Sequence, residues 1–182
     1  MKSEKKKKQK LKTKVAIEGW LARALSLLRA KSSVSYSMDT IRFEAKTQTL
    51  VVTNGQTLLA VKIKRSGTLL PFDLETGFYD IFGEILLKAD RDSNSRFPDY
   101  KSVMPEAGKI CAGDLLYGII DCMIKQKVYL DIWKYKGILN LLDKHFFDWV
   151  FTYEGHDRPV MMEADSDKYN VKLIIMPYKL HP

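Results

Sequence analysis

Apolar positions recur along this chain in two rhythms, and the switches between them divide it into elements. Between 18 and 30, Leu21, Ala24, Leu25 and Leu28 fall every three or four positions, while Arg23, Ser26 and Arg29 lie between them. That spacing is one face of an amphipathic helix, so a helix is predicted there, ended by Ser32-Ser33. A short strand over 14–17 precedes it. After it the rhythm shortens, and strands are predicted over 40–46, 49–53 and 58–64. Thr47-Gln48 and Asn54-Gly55 separate them, the latter a strong hairpin-turn pair. The order is β-α-β-β-β.

The last third of the chain repeats that order without visible sequence identity. A strand is predicted over 127–132 and a helix over 134–146, with Ile138, Leu141 and Leu142 on its apolar face. Strands over 149–154, 159–164 and 170–176 follow, divided by Gly155-His156-Asp157 and Asp165-Ser166-Asp167. Between the two units, 77–89 reads as one or two strands and 90–95 as a polar loop. A third, strongly apolar helix is predicted over 113–125, carrying Leu116, Ile119, Ile120 and Met123. The pattern therefore predicts an α+β fold of two β-α-β-β-β units, 14–64 and 127–182. The middle segment, 65–126, is either a large insertion or the remains of a lost module.

Charge changes the picture at one end only. The formal net charge is +8, yet residues 2–14 alone hold eight lysines and one glutamate. Without them 22 basic face 21 acidic residues, so the body is close to neutral. Residues 1–13 read as a basic disordered tail. It is either an arm making salt-sensitive phosphate contacts or a solvated extension. With 46% hydrophobic and 29% charged residues, the chain has the composition of a soluble globular protein. No apolar run has the length of a membrane span, and no signal-type segment opens the chain. Cys111 and Cys122 do not make a disulfide framework, which fits a reduced, cytoplasmic protein.

The segments richest in information are apolar and fixed by proline. Arg96-Phe97-Pro98-Asp99-Tyr100-Lys101-Ser102-Val103-Met104-Pro105 lies in the middle, and Ile174-Ile175-Met176-Pro177-Tyr178-Lys179-Leu180 near the end. Neither supplies a nucleophile, a metal ligand or a phosphate cradle; both suit a preformed docking surface. Together they closely resemble two signatures of the bacterial DNA sliding clamp, the beta subunit of DNA polymerase III. In that family an RFPDY-x-x-V-x-P segment follows a strand, and the last strand runs into Met-Pro-Met-Arg-Leu. A third segment, Val51-Val52-Thr53-Asn54-Gly55-Gln56-Thr57-Leu58-Leu59-Ala60, resembles the clamp's V-A-T-D-G-H-R-L-A. It has Asn54 for Asp, Gln56-Thr57 for His-Arg and one extra leucine.

The resemblance implies a clamp-like fold with helices on one side and sheet on the other, and a hydrophobic pocket built from those three segments. On matching positions the pocket is Thr53, Gly55, Leu58, Pro98, Val103, Ile174, Met176, Pro177, Tyr178 and Leu180. Lys179 for Arg and Tyr178 for Met depart from the family pattern. The implied partners are DNA polymerase and the clamp loader, held through short peptides led by Gln and ending in Leu-Phe. Double-stranded DNA would be contacted without sequence preference, and copies would close a homo-oligomeric ring through edge-strand pairing. Candidate DNA contacts are Arg23, Arg29 and Lys31 on the first helix and Lys136 and Lys144 on the second, with Asp143 diluting the second set.

Catalytic chemistry has little support. His145, His156 and His181 lack metal-ligand spacing, and no phosphate-binding, dinucleotide-binding, Cys-x-x-Cys or Gly-x-Ser-x-Gly motif occurs. Asp165-Ser166-Asp167 lacks the rest of a calcium loop. Trp20, Trp133 and Trp149 lie in or beside periodic segments and are expected in the core. The sequence thus points to a non-enzymatic protein without cofactor or metal, and to a replication processivity factor first. Two rivals stay open. One is a non-ring clamp-like module that binds or sequesters clamp-binding proteins; the other is an unrelated α+β nucleic-acid binder acting through its lysine tail.

Overall fold

The computed structural model describes residues 14–31, 36–64, 74–91, 95–105, 109–126, 128–155 and 157–177. The lysine-rich segment 1–13 lies outside them. The elements are β1 (Lys14–Ala16), α1 (Gly19–Leu28), β2 (Ile41–Glu44), β3 (Thr49–Thr53), β4 (Thr57–Ile63), β5 (Gly77–Phe82) and β6 (Ile85–Lys88). A 3₁₀ turn at Tyr100–Val103 precedes β7 (Lys109–Gly113), α2 (Leu115–Gln126), α3 (Ile132–Asp143), β8 (Trp149–Tyr153), β9 (Val160–Asp165) and β10 (Tyr169–Ile175). The α+β class is the one predicted from the sequence.

All ten strands join one antiparallel sheet in the order β1-β6-β5-β2-β3-β4-β10-β9-β8-β7. The seam at its centre is β4 against β10, where Leu58 faces Ile174 and Ala60 faces Lys172. Each outer strand, β1 or β7, leads directly into a helix on the same face of the sheet. The middle segment does not stand apart, because its hairpin β5–β6 is inserted between β2 and β1.

Side-chain parity sets the two layers. Leu50, Val52, Leu59, Val61, Val171 and Leu173 point to the helices and form the main core with Leu21, Leu25, Ile138 and Leu142. The alternate residues Val51, Leu58, Ala60, Met161 and Ile174 point to the opposite face, where Tyr100 packs on them beside Phe97 and Met104. Every residue of β3 is consequently buried, although a strand with one wet face would alternate.

Two expectations are corrected. Where a strand was predicted over 127–132, none forms among the described residues 128–132: Val128 and Leu130 are buried and Tyr129 and Asp131 exposed, so the alternation comes from a connection lying on the core. Asp131 then caps α3, its Oδ1 accepting from the Lys134 amide at 3.2 Å, and the helix starts at Ile132. The edge strand of this half is β7. The third helix predicted over 113–125 forms as α2, which buries Leu115, Ile119 and Cys122 and leaves Leu116, Tyr117, Ile120 and Ile124 exposed. Gly118 sets that rotation by lying directly on the Phe151 ring. The other correction concerns the tryptophans: Trp149 is fully buried and Trp20 packs at the core edge, but Trp133 is 82% exposed on the first turn of α3.

Candidate functional site

The turn between β3 and β4 is fixed by its own side chains. Thr53 Oγ1 donates to the Thr57 carbonyl at 2.8 Å and accepts from the Gly55 amide at 3.0 Å. Asn54 Oδ1 accepts from the Gln56 and Thr57 amides at 3.0 and 2.9 Å. Gly55 has φ +89°, where a side chain is strained. The turn holds the neighbouring segments in two ways. The Met176 amide donates to the Gln56 carbonyl at 2.9 Å, and Lys134 Nζ of α3 donates to Gln56 Oε1.

The segment 95–105 crosses the sheet face that has no helices. The Arg96 carbonyl accepts from the Ser37 amide at 2.8 Å, and Phe97 meets Phe78 and Tyr100 at ring-centroid distances of 6.4 Å each. Tyr100 is the wedge: its ring is buried over Val51, Leu58, Ala60 and Ile174. Its hydroxyl lies near the Glu44 carboxylate, which accepts from Lys101 Nζ at 3.3 Å. Burial, reinforced by the Glu44 carboxylate, pushes the Tyr100 phenol well above its ordinary range. The 3₁₀ turn that follows is closed by Ser102 Oγ donating to the Asp99 carbonyl at 2.7 Å.

Where turn, crossing segment and the end of β10 meet, they leave a depression of about 140 Å³. Seven of the residues predicted from the sequence line it: Thr53, Gly55, Leu58, Pro98, Val103, Ile174 and Met176. Val103 and Met176 form its exposed lip, 38% and 39% accessible, and Leu58 and Ile174 its buried floor. Gln56, Thr57, Asp99 and Tyr100 also line it. The signal for these was adjacency: each sits inside a segment already singled out. Pro177 follows the lip residue Met176 but is not in the lining, and Tyr178 and Leu180 lie outside the described residues.

The candidate DNA contacts lie with the helices, on the other side of the sheet. Arg23 and Lys31 belong to α1 and the chain just after it, and Lys136 and Lys144 to α3 and its end; all four are exposed. Arg29 is half-buried. With Lys31 it borders a polar depression of about 570 Å³ that also holds Asp39 and Asp80, so that pair is offset by nearby carboxylates. Lys136 Nζ sits 5.4 Å from the centre of the exposed Trp133 ring. Among the described residues no three His, Cys, Asp or Glu side chains gather as a metal site, and no helix is long and apolar enough to cross a membrane.

The chain is thus a single antiparallel sheet with helices on one face and an apolar pocket at its seam on the other. Solved structures share this fold. The chain is similar to the DnaN sliding clamp (DNA polymerase III subunit beta) of Pseudomonas aeruginosa bound to griselimycin, with a TM-score of 0.55 and 14% identity; 94% of this chain and 66% of that one are covered. It is similar to the Helicobacter pylori beta clamp bound to a DNA ligase peptide, with a TM-score of 0.53 and 12% identity over 92% of this chain and 66% of that one. For DNA polymerase III subunit beta of Borrelia burgdorferi the TM-score is 0.54 at 12% identity, over 93% and 63%. The chain has the fold of bacterial sliding clamps and spans just under two thirds of the length of those it matches. No protein-family model matches it, and no curated protein sequence does.

Proposed function

We propose that this chain is a clamp-like tether that docks short peptides of DNA polymerase or other replication proteins and holds them at duplex DNA. The observation that carries the reading is the convergence of Thr53, Gly55, Leu58, Pro98, Val103, Ile174 and Met176, from three separated segments, on one apolar depression. At about 140 Å³ it is smaller than the ~300–1,000 Å³ of small-molecule sites, and its form suits one or two apolar side-chain anchors of an extended peptide. The Helicobacter pylori clamp, solved with a DNA ligase peptide, gives the same class of ligand a precedent on this fold.

The test is fluorescence anisotropy with a labelled Gln-x-x-Leu-Phe peptide. The reading expects a Kd in the micromolar range, about −8 kcal/mol. Val103→Asp and Met176→Asp place a carboxylate on the exposed lip, where folding tolerates it, and each is expected to weaken binding more than about tenfold. No binding to the unaltered protein at ~1 mM peptide removes the docking function.

Retention on DNA is assigned to Arg23, Lys136 and Lys144, which share the helical face. These are phosphate contacts, so affinity for duplex should be independent of sequence and fall with salt. Arg23→Glu/Lys136→Glu should reduce the slope of log K against log salt by roughly 0.9 per lost contact; an unchanged slope counts against the assignment. Self-association belongs to the same reading. It is supported by the exposed apolar stripe of α2 beside the sheet-edge strand β7, and sedimentation that finds only monomer at high concentration removes it.

A further inference from the structure

On the same sheet face, across the Tyr100 ring from the docking depression, lies a second hollow of about 280 Å³. Thr49 and Ala60 form its floor, and Tyr100 and Met104 are among its walls. Tyr100 lines both hollows, so they adjoin, and the sheet beneath them runs along β4 from Leu58 to Lys62. The charges around the second hollow are Lys62, Lys101 and Lys172 against Glu44, an excess of two positive charges.

Glu44 is already engaged, by the Thr47 hydroxyl and by Lys101, each at 3.3 Å. Lys172 pairs with Glu163 at 3.4 Å, which lowers the local excess to one. Both pairs are long and solvent-accessible, and such pairs bind their partners weakly. The ammonium groups therefore stay available to an incoming anion, and the apolar floor gives the same ligand something to bury.

We propose that this lysine-rimmed hollow is a second subsite that receives an acidic stretch flanking the apolar anchor of the docked peptide. The inference rests on the docking function proposed above and adds the chemistry of the partner. Its geometry fixes a spacing: Leu58 to Lys62 is four residues of strand, about 13 Å at ~3.3 Å per residue, which an extended peptide crosses in about four residues. Acidic side chains three to five positions from the anchor would reach Lys62 and Lys172. A nucleic-acid strand would use the lysines but leave the Ala60–Met104 surface uncovered, so the peptide is the better fit.

Three labelled probes separate the outcomes: a Gln-x-x-Leu-Phe core peptide, the core with three Glu placed about four residues from the Leu-Phe on either side, and the same with three Lys. On the unaltered protein at low salt, the Glu-extended probe is expected to bind about five- to tenfold tighter than the core, and the Lys-extended probe no tighter. The gain should vanish in Lys62→Glu/Lys172→Gln and above about 0.5 M salt, while that variant keeps its melting temperature and its affinity for the core. Equal affinities for core and Glu-extended probes, or a gain that survives in the variant, overturn the second subsite and leave the pocket standing. Displacement of the Glu-extended probe, but not of the core, by a single-stranded oligonucleotide would reassign the hollow to nucleic acid. No binding of the core itself overturns the docking function and this inference with it.

Discussion

The same substitution, glycine to alanine, should have opposite effects in two helices of this protein. In a helix interior alanine normally gains about 0.5–1 kcal/mol over glycine, because the unfolded chain has less freedom to lose. At Gly137 in α3 the new methyl would meet only Leu27 Cδ1 at 4.0 Å, an ordinary contact, so Gly137→Ala should realise that gain. At Gly118 in α2 it would lie 2.9 Å from Cδ2 of Phe151, and nearer still to Cε2 and Cζ. Phe151 is fully buried on β8, where neither its ring nor the helix backbone can yield cheaply. Overpacking of this kind costs ~1–3 kcal/mol, and the depth of the overlap puts Gly118→Ala near the upper end, for a net loss of roughly 2 kcal/mol. For a chain of this length that is about 4–8 °C of melting temperature, against a rise of about 1–4 °C for Gly137→Ala. Melts followed by circular dichroism would read both. Phe151→Leu should then recover part of the loss in Gly118→Ala, a coupling that unrelated defects would not show. If Gly118→Ala is neutral or stabilising, α2 does not lie on β8 through that glycine, and the exposed stripe Leu116, Tyr117, Ile120 and Ile124 loses its basis.

Two further outcomes follow from the wedge and from the start of α1. Tyr100→Phe removes only the hydroxyl beside Glu44 and should cost about 1 kcal/mol or less, with little change in peptide binding. Tyr100→Ala empties the space over Leu58, Ala60 and Ile174, should cost ~3–5 kcal/mol, and should weaken peptide binding in anisotropy; equal binding by both variants would show that the crossing segment does not shape the pocket. At Glu18, burial pushes the carboxyl up, but hydrogen bonds from Trp20 and Tyr169 and the charge and hydrogen bond of Lys168 outweigh it and hold the group below its ordinary 4.5. A lowered folded value means that the stabilisation is complete above pH 4.5 and is lost as pH falls through the folded value. The melting-temperature deficit of Glu18→Gln should therefore be largest above pH 4.5 and shrink below it, and a deficit that does not change with pH would exclude a role for the ionised carboxylate.

The pocket was legible in the sequence because its three segments resemble sliding-clamp signatures, and those segments also obey local rules. Asn54-Gly55 specifies a turn, Pro98 and Pro177 fix backbone direction, and β4 and β10 read as strands on their own. Elements whose placement depends on distant partners were not legible. The β5–β6 hairpin reads as strands, but nothing local says that it slots between β1 and β2. The alternation of Val128 to Asp131 looks like a strand because a connection lying on a core alternates too. In α2, Leu115, Leu116, Ile119, Ile120, Met123 and Ile124 are apolar nearly all the way round, so periodicity could not choose a face. A local clue did exist: Gly118 falls with Leu115, Ile119 and Cys122 at helical spacing, and a glycine inside an apolar helix marks a close approach.

The position of the pocket ties its shape to the integrity of the whole sheet. Among the described residues, β4 against β10 is the only strand pair that joins β1–β6 to β7–β10, and the pocket straddles it. Thr53 and Leu58 come from one half and Ile174 and Met176 from the other, and Leu58 and Ile174 are direct partners in the register. The segment carrying Pro98, Tyr100 and Val103 then covers this seam on the side away from the helices, which is why Val51 and Ile174 are buried despite facing outward from the core. A one-residue slip of β10 would turn Ile174 toward α1 and α3 and dismantle the pocket floor together with the main core. The register that stabilises the fold is thus the register that forms the pocket, so the folded chain carries the pocket ready-made.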